Sequence, residues 1–164
     1  HCLVVASHML VLGKKAADLN QARRVAEQAL ADGSAWKKFR TLVMTQGGDV
    51  DYIDHPERLP QAPVIMQVDA PRAGWVARVN ARVVGETTVM LGAGRQKKGE
   101  PVDHSVGVVV HKKVGDRVEQ GQPLFTVHAK DEASAADAAG RILNAYKWSS
   151  EPCDALPLFY DVIS

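Results

Sequence analysis

The stretch LGAGRQKKGEPVDHSVGVVVHKKVGDRVEQGQPLFTVHAK, residues 91–130, decides the fold of this chain. It contains six of the 13 glycines, which separate short runs of β-branched and aromatic residues. The runs Val106–Val110 and Pro123–Val127 predict two strands. Lys113–Asp116 predicts a turn, because glycine tolerates positive φ and aspartate can bond its own backbone, and Gly121 turns the chain again. Strands this short, broken by glycine, predict a compact, bent β sandwich or barrel.

Two further strands precede this stretch. Val64–Asp69 and Gly74–Asn80 both alternate apolar with other residues, and Pro71–Gly74 predicts the turn between them. Strict alternation in the second strand places Val76 and Arg78 on one face. The opposite face then carries Trp75, Ala77 and Val79.

The next segment, Ala81–Leu91, is open to two interpretations. Its β-branched residues favour a strand, whereas the spacing of Val84, Thr88 and Leu91 also suits a short helix. A helix is predicted further on over Asp131–Tyr146, with Asp131 or Ser134 as its cap. After a loop at 152–157, Leu158–Ile163 predicts a terminal strand added to the sheet.

The first part of the chain has helical patterning. Residues 2–12 are apolar on nearly every side, which is typical of a helix that is buried all round or that belongs to a larger body. Asp18 and Gln21 predict a capping box at the start of a second helix. Gly33 ends that helix, and Ser34 is predicted to cap a third.

The third helix carries the first large aromatic side chains. Trp36 and Phe39 lie three residues apart with Val43 one turn further on, so we expect both aromatic side chains to be buried.

Residues 49–63 form the best candidate boundary. Three prolines interrupt this polar segment, so it predicts a linker or an ordered connection between a helical segment at 1–48 and a domain at 64–164. Its side chains could be interpreted as metal ligands, but their spacing matches no known site, and a solvated loop is favoured. These side chains are Asp51, Asp54, His55 and Glu57.

Composition sets broad limits on function. The chain has 164 residues, is 46% hydrophobic and has a formal net charge of +1, so charge makes no strong case for nucleic acid or an acidic membrane surface. No apolar run approaches the roughly 18–20 residues needed to span a bilayer. Cys2 and Cys153 form no CxxC pair, and free thiols in a reducing cytoplasm are favoured over a bridge. The absence of a start methionine at His1 suggests an internal start.

Few residues suggest chemistry. Gly92–Arg95, followed by Lys97 and Lys98, could cradle a phosphate. The pattern matches no phosphate motif, so a tight turn with solvated basic side chains is favoured.

Three histidines are candidates for acid–base work. His104, His111 and His128 each lie in or beside a predicted strand, and a structural role is the default for each. Asp103 could orient His104, but neighbours in a strand point to opposite faces.

Several motifs together resemble a known family. The pattern G-D-x-V-x-x-G-Q-x-L at 115–124 is similar to the hammerhead of biotinyl and lipoyl carriers. A longer series, in order along the chain, resembles the pyrimidine nucleoside phosphorylases, which include thymidine phosphorylase. Its members are Ser7–Met9, Thr45–Asp49, LGAGR at 91–95, PVDHSVGV at 101–108, K-x-G-D-x-V at 113–118 and VHAKDE at 127–132.

The resemblance implies an α+β chain: helices from the end of the family's α/β domain, then a C-terminal domain with a bent, antiparallel, hammerhead-like sheet and one or two helices. It favours a helix at 81–91. It implies a parent that uses phosphate as co-substrate to release a pyrimidine base from a nucleoside. The catalytic motifs of the family lie upstream of this chain, so no catalytic, cofactor-binding or metal-binding residue is assigned, and this segment is expected to be structural and inactive alone.

The resemblance also carries expectations about partners. The parent is expected to be a cytoplasmic homodimer that binds nucleoside and phosphate, with no cofactor, nucleic acid or membrane. The alternative is a carrier or binding module without catalysis. That alternative needs a modifiable lysine at a hairpin tip, and Lys130 is the candidate, although its neighbours match neither carrier turn.

Overall fold

The computed structural model describes residues 1–163, which form two compact units divided between Leu59 and Pro60. The first unit is helical, and the second contains every strand of the described residues, so the expected α+β class is confirmed. The helices of the first unit are α1 (Cys2–Leu12), α2 (Leu19–Ala31), α3 (Ser34–Thr45) and the single turn α4 (Asp51–Asp54), followed by a 3₁₀ turn at Pro56–Arg58.

Helix boundaries in the first unit follow the predicted signals closely. Gly13 ends α1, and the Asp18 side chain accepts the N–H of Gln21 at the start of α2. The side-chain oxygen of Gln21 accepts the N–H of Ala17, which completes a capping-box arrangement one residue early. The predicted cap of α3 is wrong. Ser34 is the first helical residue, and the carboxylate of Asp32 accepts its N–H at 2.9 Å.

The predicted burial of Trp36 and Phe39 is also wrong. Their side chains are 52% and 47% exposed, and their ring centroids lie 6.0 Å apart. Apolar residues at i and i+3 define a shared helix face, but they do not supply the element that covers it.

The second unit contains two three-stranded antiparallel sheets. One has the order β1 (Val64–Asp69), β5 (Pro123–Ala129), β3 (Gly107–Val110). The other has the order β4 (Arg117–Val118), β2 (Gly74–Val79), β6 (Tyr146–Ser149). The turn at 71–74 therefore carries the chain from one sheet to the other instead of closing a hairpin.

Two helices pack with these sheets. The first is α5 (Ala81–Thr88), which confirms the helical interpretation and continues into a π-helical turn at Val89–Ala93. The second is α6 (Glu132–Ala145), capped by Asp131 through the N–H of Ser134 at 2.7 Å.

A single apolar core joins both sheets and α6. Its fully buried large members come from four different elements, so the core holds the whole unit together. They are Val76, Val118, Leu124, Phe125, Val127 and Ile142.

The predicted terminal strand at Leu158–Ile163 is wrong. These residues have no regular secondary structure, and Ile163 is 98% exposed. The last strand is instead β6, which follows α6 directly and lies on β2. High β propensity does not provide a strand with a partner, and here β6 occupies that edge of β2.

Candidate functional site

One cavity of the second unit has a volume of about 550 Å³. Its walls are apolar, with His111, Lys113 and Asp116 as the titratable groups among its lining residues. The apolar lining comes from β2, α5, the β3 end and the C-terminal segment, including Val79, Val84, Val110 and Leu156. Sequence reasoning missed this cavity because its lining comes from segments far apart in the chain and forms no contiguous motif.

The turn at Lys113–Asp116 forms one side of this cavity. The Asp116 carboxylate accepts the Lys113 N–H at 2.8 Å, and Gly115 has a φ of +94°. A Cβ at Gly115 would lie 2.8 Å from backbone atoms of Ala155, so the absence of a side chain lets the C-terminal segment pack against the turn. The predicted turn is confirmed, and its glycine is required by both φ and space.

Hydrogen bonds fix the polar groups around this turn in place. His111 Nε2 lies 2.8 Å from Thr126 Oγ1, and the Tyr146 hydroxyl donates to the Lys112 carbonyl at 3.0 Å. Burial, together with the charge of Asp116, raises the pKa of Tyr146 to about 12. The side chains of Tyr146 and His111 are therefore each held by a hydrogen bond within the fold.

The sequence Asp103-His104-Ser105 does not assemble a catalytic triad. The Asp103 carboxylate accepts both the N–H and the hydroxyl of Ser105, at 2.9 and 2.6 Å. The hydrogen bond from the Ser105 hydroxyl, followed by that from its N–H, lowers the pKa of Asp103. His104 makes a smaller electrostatic contribution to this lowering of the Asp103 pKa. The serine is thus bonded to the carboxylate directly, whereas a triad needs histidine between them.

The glycine-rich segment is a structural turn. Gly92 has a φ of +113° within the π-helical turn, and its carbonyl accepts the Asp103 N–H. The backbone N–H groups of Gln96 and Lys97 both donate to the Glu100 carboxylate at 3.0 Å. The chain's own carboxylate therefore occupies the position that an anion would take.

The other two candidates lie apart from any catalytic arrangement. His128 is half-buried on β5, opposite Ile65 and Gly107. Lys130 is exposed between β5 and α6, beside the helix cap Asp131, and not at the tip of a hairpin. This position does not fit the carrier interpretation.

Ion pairs account for the acidic residues at 51–57. Arg40 donates to Asp54 at 2.8 Å, Arg58 pairs with Asp51, and His55 lies 3.2 Å from Glu57. The hydrogen bond from Arg40 is the main cause of a lowered pKa at Asp54. Within residues 1–163, no group of three or more His, Cys, Asp or Glu side chains could hold a metal ion. No helix of this range is long and apolar enough to cross a membrane.

Comparison with known proteins finds a matching family model and several similar sequences. Residues 75–149, which include β6 and all of β2 except Gly74, match the model of the pyrimidine nucleoside phosphorylase C-terminal domain. The pyrimidine-nucleoside phosphorylase of Geobacillus stearothermophilus is 40% identical over 163 residues, which is 99% of this chain and 37% of that relative. The corresponding protein of Staphylococcus aureus strain USA300 is 43% identical over 127 residues, which is 77% of this chain and 29% of that relative.

The residues that match the C-terminal domain model all lie within the second unit. The chain matches the C-terminal segment of the pyrimidine nucleoside phosphorylases, as the sequence resemblance implies. It spans about a third of the length of the curated relatives it matches.

Proposed function

We propose that this chain is the C-terminal part of an enzyme that uses phosphate to displace the base from a pyrimidine nucleoside. The products are a free base and a pentose 1-phosphate, so the parent is a pentosyltransferase. The observation that carries the proposal is the 40% identity to the Geobacillus phosphorylase along 99% of this chain.

The role of this segment within the parent is structural. Phosphorolysis needs a bound phosphate nucleophile, stabilisation of positive charge at the sugar and hydrogen bonds to the leaving base. Two of the titratable groups first considered for chemistry are engaged in structural contacts, Asp103 with Ser105 and His111 with Thr126. In the glycine-rich segment, the Glu100 carboxylate binds backbone amides. We therefore assign no catalytic, cofactor or metal role to any described residue.

The remaining features of the parent are proposed from the same similarity. We propose a homodimer that binds nucleoside and phosphate and needs no cofactor, nucleic acid or membrane. Both cysteines, Cys2 and Cys153, are free thiols, which supports a reducing cytoplasm.

A graft tests the proposal. The matched region of the Geobacillus stearothermophilus phosphorylase is replaced with this chain, and phosphate-dependent release of uracil and thymine is measured. The graft is expected to restore turnover that the relative loses when the region is deleted. A folded graft that binds nucleoside and phosphate but releases no base would contradict the proposal. A second graft that carries Gly115→Ala is the control, because a Cβ at this position would disturb the packing of the C-terminal segment on the turn.

A further inference from the structure

Three cations of the second unit line one small cavity and have no anionic partner among residues 1–163. Arg78 lies on β2, Arg141 on α6 and Lys147 on β6, and the cavity between them has a volume of about 160 Å³. Its lining includes no aspartate or glutamate. Within residues 1–163, none of the three forms an ion pair or a side-chain hydrogen bond.

A β-bulge brings two of these cations together. Val76 pairs with Trp148, and Arg78 pairs with Lys147, so Ala77 is an extra residue on β2. Strict alternation would have turned Arg78 to the face of the buried Val76, whereas the bulge leaves Arg78 exposed and directly opposite Lys147. Like charges directly opposite each other destabilise a strand pair, so this arrangement favours an anion between them.

The surrounding groups add hydrogen-bond donors and positive potential. Asn80 and Asn144 line the same cavity, and Asn80 caps the start of α5 through the N–H of Val83 at 3.4 Å. The N-terminal end of a helix carries partial positive charge. Arg82, two residues beyond Asn80, behaves differently because its side chain is paired with Glu86 at 2.7 Å.

We propose that Arg78, Arg141 and Lys147 form a binding site for a phosphate group, whether free or attached to a small sugar. Guanidinium groups match the oxygens of a phosphate in a fork geometry, and a lysine adds a point charge. The cavity volume is several times the roughly 30 Å³ that one water occupies in the liquid, which leaves room for a phosphate group. The inference does not rest on the proposed function, because binding is measured on this chain without turnover.

The test is a titration of the ¹⁵N-labelled 164-residue chain with inorganic phosphate at constant ionic strength, followed by NMR. Amide signals of residues 78–83 and 141–147 are expected to shift in a saturable manner. Arg141→Gln and Lys147→Gln should each weaken phosphate binding at least about tenfold, since each removes a charge-assisted hydrogen bond. Both side chains are exposed, and circular dichroism would show whether each variant retains the native fold.

Arg82→Gln is the matched control, since it removes one exposed cation close to the site and should leave binding unchanged. A second titration with ribose 1-phosphate distinguishes the sources: tighter binding than phosphate assigns a sugar phosphate, and equal binding assigns free phosphate. The proposal is overturned if chloride at equal ionic strength gives the same shifts, if neither phosphate compound saturates, or if Arg82→Gln weakens binding as much as Arg141→Gln.

Discussion

The two units of this chain differ sharply in how they bury their side chains. In the helical unit, residues 1–59, the only buried side chains are those of Ser7 and Ala22, whereas Leu12 is 83% exposed. In the second unit, strands from both sheets and α6 share one continuous core. Hydrophobic burial is the main favourable contribution to folding, so most of the stability of the chain resides in the second unit. The helices of the first unit follow their sequence signals closely, but this does not give the unit a hydrophobic core.

The largest expected effect contrasts one phenylalanine in each unit. Phe125 is fully buried on β5, with its ring centroid 5.9 Å from that of Tyr146, whereas Phe39 is 47% exposed. Phe125→Ala should lower the free energy of unfolding by roughly 3–5 kcal/mol, because it leaves a cavity in the core. Phe39→Ala should change it by less than about 1 kcal/mol. Urea unfolding followed by circular dichroism measures both, and equal losses would remove the contrast between the units.

The second expected effect appears only at high pH. The pKa of Tyr146 is raised to about 12, so the folded state favours the neutral hydroxyl. This contribution is fully present below the unfolded pKa of about 10 and is lost as pH rises through the folded pKa. The loss should reach roughly 2–3 kcal/mol, at about 1.4 kcal/mol for each unit of the pKa difference.

Tyr146→Phe is the variant that tests this assignment. At pH 7 it should cost about 1 kcal/mol, since the hydrogen bond to the Lys112 carbonyl is lost. Between pH 10 and 12 the Tyr146→Phe variant should lose less stability than the unsubstituted chain. If both proteins lose the same stability across this range, the loss does not come from Tyr146.

The smallest expected effects contrast two glycines within the second unit. Gly115→Ala should destabilise by roughly 1–3 kcal/mol, because φ is +94° and the new Cβ would meet Ala155. Gly140→Ala should stabilise by about 0.5–1 kcal/mol, since Gly140 lies inside α6 with open space around it. Thermal unfolding of the two variants should shift in opposite directions. A stabilising Gly115→Ala would show that the C-terminal segment does not pack on this turn.

Local signals predicted local structure well. The turn at Lys113–Asp116, the cap at Asp131 and the strand Val64–Asp69 all depend on neighbouring residues, and the structure confirms each of them. The wrong predictions concern which other segment packs against or pairs with an element. The burial of Trp36 and the pairing of Leu158–Ile163 both depend on a distant partner that periodicity does not identify.

The candidate sites show the same limit. The sequence places Asp103, His104 and Ser105 side by side, but it does not show that the serine bonds the carboxylate directly. The sequence also does not predict the bulge at Ala77, because strict alternation places Arg78 on the face of Val76. Both outcomes depend on three-dimensional pairing rather than on order along the chain.

The most direct test of the structural role is a phosphorolysis assay of the isolated 164-residue chain. Thymidine or uridine is incubated with phosphate, and release of the base is followed, with the full Geobacillus stearothermophilus phosphorylase as the positive control. The structural role predicts no release above that of a reaction without protein. Phosphate-dependent release of base by the purified chain, abolished by Arg141→Gln or by any substitution among its described residues, would show that this segment carries catalytic groups and would contradict it.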